Sequence, residues 1–166
     1  MKPVALIAAL LCASLVFAQS AKTGVLEKSE LKDVVPSSYF FAGKNAPVQT
    51  RNSAGARLAG GKLVLAALVD TSGYSANIQE KYQGLFITES KITIEGKALE
   101  PGEYGVGRTA DGNFNILNVA GDTLFAFPGH ADDGMKRPVP LQMTSQGSDK
   151  YRLYLGRNYV EFSPAQ

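Results

Sequence analysis

Beyond Pro36 the chain alternates between short apolar bursts and turn residues, and within the bursts the period is two. Ile92 and Ile94 alternate with Thr93 and Glu95, and Tyr104 and Val106 with Gly105 and Gly107. Phe114 and Ile116 alternate with Asn113 and Asn115. Leu141 and Met143 flank Gln142, and Tyr151, Leu153 and Leu155 alternate with Arg152 and Tyr154. Side chains on a strand point to opposite faces in turn, so this pattern predicts half-buried strands. Tyr39–Phe41, Leu85–Thr88, Leu124–Phe127 and Tyr159–Phe162 read as further strands, with Val48–Arg51 and Arg57–Leu58 as weaker ones. Gly60-Gly61, Asp111-Gly112, Gly121-Asp122 and Gly156-Arg157-Asn158 supply turns that tolerate positive φ. Leu63–Val69 is an unbroken apolar run of 7 residues, which predicts a central strand buried on both faces. A buried helix is the alternative, for which the run is short.

Only Asp70–Gln83 has helical spacing. Ile78 and Tyr82 lie four apart, and Asn77 is a candidate cap with Glu80 behind it. A short helix or ordered loop near 75–83 is therefore expected. Phe127–Pro138 is the longest irregular segment. Many short strands joined by Gly-rich turns predict an all-β, antiparallel β-sandwich, with a small β-barrel as the alternative.

The N-terminus follows a different pattern. Lys2 precedes an apolar run from Val4 to Phe17, and Val16-Phe17-Ala18 offers a cleavage site before Gln19. This predicts a signal peptide over 1–18 and a secreted or periplasmic protein. A retained anchor is the alternative, but the run is short for a bilayer and no stop-transfer pattern follows. Cys12 lies inside the apolar run, but Leu11 occupies the place where a lipoprotein signal needs a small residue. Residues 19–36 are polar and predict a flexible leader or short helix ending at Pro36, before a single β domain over 37–166.

Processing removes Cys12, the sole cysteine, so neither a disulfide nor thiol chemistry is expected. It also removes Lys2, leaving 16 of the 17 basic residues against 15 acidic ones. The charges are interspersed and nearly balanced. They form no basic stripe for a nucleic acid, and no stable membrane span is expected after cleavage.

Ile92–Val106 reads I-T-I-E-G-K-A-L-E-P-G-E-Y-G-V. Glu95-Gly96-Lys97 predicts a tight turn. Pro101 and Gly102 predict a second, with positive φ at the glycine. The Tyr104 hydroxyl is placed to reach back to that turn's backbone, as in a tyrosine corner. The segment resembles one in bacterial exported β domains of uncharacterised function, where a strand, a G-K-x-L turn and a P-G-x-Y turn follow each other. The resemblance spans residues 63–119. It implies an architecture and a compartment, and no activity.

Candidate chemistry is sparse. His130, the single histidine, sits in Pro128-Gly129-His130-Ala131-Asp132-Asp133. It is a candidate ligand-binding residue, although the spacing matches no metal-ligand motif. No G-x-S-x-G elbow, P-loop or G-x-G-x-x-G is present, so no cofactor is expected. Arg51 and Arg108 lie in or beside predicted strands and are candidate anion or sugar ligands. Tyr74 and Tyr82 flank the helical loop. They are either exposed platforms for a ligand or anchors that hold the loop to the core, and the second is simpler. The reading that follows is an uncharacterised, non-catalytic binding or structural module of the cell envelope, with an envelope protein or small molecule as partner. Alternatives are a carrier of a small apolar ligand between the β layers and an enzyme using the 128–138 loop.

Overall fold

The computed structural model describes residues 22–165. The expected signal peptide lies outside them. The chain begins with β1 (Gly24–Val25), α1 (Lys28–Val34), β2 (Ser38–Phe41), β3 (Lys44–Arg57) and β4 (Leu63–Val69). After α2 (Ala76–Gln79) come β5 (Gly84–Thr88), β6 (Ile92–Ile94), β7 (Lys97–Leu99), β8 (Gly102–Arg108) and β9 (Asn113–Leu117). The last third holds β10 (Thr123–Pro128), β11 (His130–Ala131), β12 (Leu141–Gly147), β13 (Lys150–Leu155) and β14 (Asn158–Pro164).

These strands form two antiparallel sheets. The large sheet runs β1-β3-β4-β5-β8-β9-β10, with β2 also paired to β3. The small sheet runs β12-β13-β14-β6-β7, with β11 also paired to β14. The chain leaves the large sheet after β5, adds the β6–β7 hairpin to the small one, and returns as β8. It crosses again at Gly129 and finishes the small sheet. The sheets do not close on one another, so the architecture is the sandwich and not the barrel.

β4 is buried on both faces, as its unbroken apolar run predicts. Val64 and Ala66 join Phe86, Val106, Phe114, Ile116, Leu153 and Val160 between the sheets. Leu63, Leu65, Ala67 and Val69 point the other way, into a second cluster on the outer side of the large sheet. Leu26, Leu31 and Val35 cover part of that outer side. The segment expected as a leader or short helix therefore holds α1 and packs onto the β domain.

Local expectations resolve in both directions. Glu95 and Gly96 form a two-residue turn between Ile94 and Lys97, with φ of 45° and 76°. The Tyr104 hydroxyl donates to the Glu100 carbonyl at 2.9 Å, closing the tyrosine corner. Gly102, however, has no positive φ; it opens β8, and the Tyr104 ring lies over it. The helix near 75–83 forms, but its N-cap is Ser75, and Asn77 lies inside its single turn. The two weak strands around Val48 and Arg57 are one strand, β3.

Candidate functional site

The sandwich opens at one end because two ladders behave differently there. β3 pairs with β4 at Val48–Val69 and again from Ser53–Ala67, so residues 49–52 bulge away from Leu68. Across the opening, Gln83 extends the β5–β8 pairing by one step. Its amide donates to the Val106 carbonyl at 2.8 Å, and its carbonyl accepts from Val69 at 3.0 Å. Its side chain then grips Arg108: Nε2 donates to the Arg108 carbonyl at 2.8 Å, and the Arg108 amide donates to Oε1 at 2.9 Å.

This grip fixes the backbone at the end of β8. Alternation then decides where the side chain goes. Val106 faces the sandwich core, whereas Gly105 and Gly107 face the outer cover, so Arg108 falls on the inner face at the open end. The cleft it lines has a volume of ≈ 400 Å³. Leu68, Leu155 and Pro140 form apolar walls; Gln49, Thr71 and Gln83 are the polar ones, and Arg108 is the sole charge among the lining residues. Among the described residues no carboxylate forms an ion pair with Arg108, a half-buried residue.

Arg51 does not join this cleft. It is exposed on the 49–52 bulge and lines a separate surface hollow with Lys28, Lys32 and Thr50. The Lys28 ammonium ties down the bulge from below by donating to the Ser53 carbonyl at 2.8 Å.

Tyr74 and Tyr82 are anchors and not platforms. Tyr82 is fully buried and its ring stacks on Phe41, centroids 3.8 Å apart. Tyr74 packs edge-on against Tyr82 at 5.4 Å and donates its hydroxyl to the Lys44 carbonyl at 3.2 Å. Tyr39 completes the nest, 6.3 Å from Phe41. The hydroxyls of Tyr39 and Tyr82 are buried with no hydrogen-bond partner among the described residues. Burial pushes both phenols well above the ordinary tyrosine range, because the phenolate would lose its hydration.

His130 lies on the outer face of the small sheet, in a network of its own. Its ring stacks on Tyr159, the residue opposite it, at 5.1 Å. Its Nε2 lies 3.2 Å from Glu95 Oε2. The other Glu95 oxygen accepts the Glu161 amide at 2.6 Å. That amide falls in the gap between β11 and β6, which pair with successive stretches of the same edge of β14, so the carboxylate stands in for a missing strand residue. Arg152 donates to Glu161 at 3.0 Å and sits 4.2 Å above the Tyr159 ring. Asp132 accepts the Tyr154 hydroxyl at 3.1 Å. A hollow of ≈ 210 Å³ borders Glu95, Glu161 and Lys150. Glu95, Glu161 and Asp132 are thus engaged in holding backbone or a neighbouring side chain, while Asp133 is exposed. Among the described residues no group of three or more His, Cys, Asp or Glu could hold a metal ion.

Glu95, Gln83, Arg152 and Tyr159 were not singled out from the sequence. The alternation of Arg152 and Tyr154 with core residues marks an outer face. What it does not carry is the register that sets Arg152 opposite Glu161. No helix of the described residues is long and apolar enough to cross a membrane. No protein-family model matches the chain, and neither a curated protein nor a solved structure matches it significantly.

Proposed function

We propose that the chain is an exported, non-catalytic binding module of the cell envelope whose ligand seats in the cleft between the sheets at the Arg108 end. The observation that carries this is an inward-facing arginine with no ion-pair partner at the mouth of an otherwise filled core. An anion seated there would supply the counter-charge that Arg108, the one charged residue of the cleft, lacks. A carrier enclosing its ligand deep between the layers finds little support, because Phe86, Phe114, Ile116 and Leu153 fill that space and are fully buried. The enzyme reading finds less support, since His130 stacks on Tyr159, Glu95 fixes backbone and Asp132 holds the Tyr154 hydroxyl. Export rests on the Lys2, Val4–Phe17 and Ala18 pattern.

The test is a fragment titration of the isotope-labelled chain lacking residues 1–18, followed by amide NMR. Binding fragments are expected to shift Leu68, Thr71, Leu155 and Gly156. Shifts gathered instead on His130, Tyr159 and Glu161 would move the site to the outer face of the small sheet.

A further inference from the structure

Resting on that reading, we infer that the cleft selects a small monocarboxylate with a compact apolar body. The charge argument comes first. One guanidinium is the only charge among the lining residues, so it balances one negative charge; a doubly charged phosphate would leave half of its charge unmatched. The planar fork of Arg108 suits the two oxygens of a carboxylate. Gln83 spends one N–H and one carbonyl lone pair of its carboxamide on the Arg108 backbone, and its second N–H is a neutral donor that adds no charge to the cleft. Gln83 thus positions Arg108, and the guanidinium supplies the charge that selects an anion.

The body of the ligand follows from the walls and the floor. Leu68, Leu155 and Pro140 offer apolar contact in the same cleft as the charge. Leu68 itself packs against the inter-sheet core, where Phe86, Val106 and Leu153 are fully buried, so the cleft ends on a closed floor. A volume of ≈ 400 Å³ on such a floor admits a ring or a short branched chain, whereas a long acyl chain has no channel to follow.

Three probes of one shape separate the charge from the body: phenylacetate, 2-phenylethanol and 2-phenylethylamine. Each is titrated by amide NMR into the chain lacking residues 1–18, and into Arg108→Gln and Arg108→Lys. Phenylacetate is expected to bind about tenfold or more tighter than the alcohol, with the amine weakest. Arg108→Gln should level acid and alcohol, and Arg108→Lys should restore part of the gap because it keeps the charge without the fork. The dispersion of each variant's spectrum reports that it is folded. Alcohol and acid binding equally to the unaltered chain at Leu68 and Leu155 would overturn the carboxylate assignment and leave the cleft standing as a site. No probe shifting those residues would overturn both.

Discussion

The two outer faces of the sandwich are built in opposite ways. On the large sheet, α1, β2 and the loop around α2 lay Leu31, Tyr39, Phe41, Tyr74 and Tyr82 over the strands, and every one of these is buried. On the small sheet, His130, Arg152, Tyr159 and Glu161 stay in contact with solvent and satisfy one another. The same period-two alternation produces both. Where the aromatic cover lands, the outward positions of β8 are glycines: a Cβ on Gly105 would lie 2.5 Å from Phe41, and one on Gly107 would lie 2.4 Å from the Lys81 carbonyl. On the small sheet the outward positions of β13 are Arg152, which keeps contact with solvent, and Tyr154, which is buried with its hydroxyl on Asp132. The lesson is that the large sheet's stability is lodged in its cover as well as in its core. With one face sealed and the other self-satisfied, the end cleft is where an inward-facing charge stands without a partner.

Phe41→Ala should break this contrast most. It removes a fully buried ring stacked on Tyr82, and a loss of about 4 kcal/mol in urea unfolding is expected. Alkaline pH attacks the same nest. Tyr39 and Tyr82 ionise in the unfolded chain near pH 10 but are held neutral when folded, so the unfolded state binds fewer protons above that pH. Their contribution is complete below about pH 10 and is lost as pH rises further, at up to about 1.4 kcal/mol per pH unit for each phenol. Denaturation curves collected from pH 8 to 11 check this, and Tyr39→Phe with Tyr82→Phe should flatten the decline.

Gly105→Ala sharpens the comparison from the other side of the contact. The new methyl must displace Phe41 and Tyr82, with an expected cost of about 2 kcal/mol by the same unfolding assay. On the small sheet the effects shrink. Glu95→Ala strands the Glu161 amide and should cost about 1 kcal/mol. His130→Ala removes an exposed stack and the contact with Glu95, and should stay within about 0.5 kcal/mol in parallel melts.

The strands most legible in the sequence were those with clean alternation over large apolar residues, such as β6, β9 and β13. β3 is legible only in fragments because Ser53-Ala54-Gly55-Ala56, in its paired second half, are small residues without the usual strand signature. Their smallness has a structural cause: a Cβ on Gly55 would meet Leu65 at 2.8 Å and Leu26 at 2.9 Å. At Gly55 the cause is the close approach of Leu65 and the N-terminal segment, and no local pattern reports that. Arg108 and His130 were visible as candidates by residue type alone. The Gln83 grip on Arg108 and the bridging role of Glu95 depend on strand order and register, which arise only once the sheets assemble. Tyr74 and Tyr82 were ambiguous for a similar reason, since a loop aromatic faces solvent or core according to what packs beneath it.

Nitration by tetranitromethane, mapped by peptide mass spectrometry on the folded chain, tests the sealed-against-open contrast most directly. Tyr159 should be modified readily, while Tyr39 and Tyr82 remain untouched until the chain is denatured. Nitration of Tyr82 at the rate of Tyr159 in the folded protein would mean that the large sheet carries no seal.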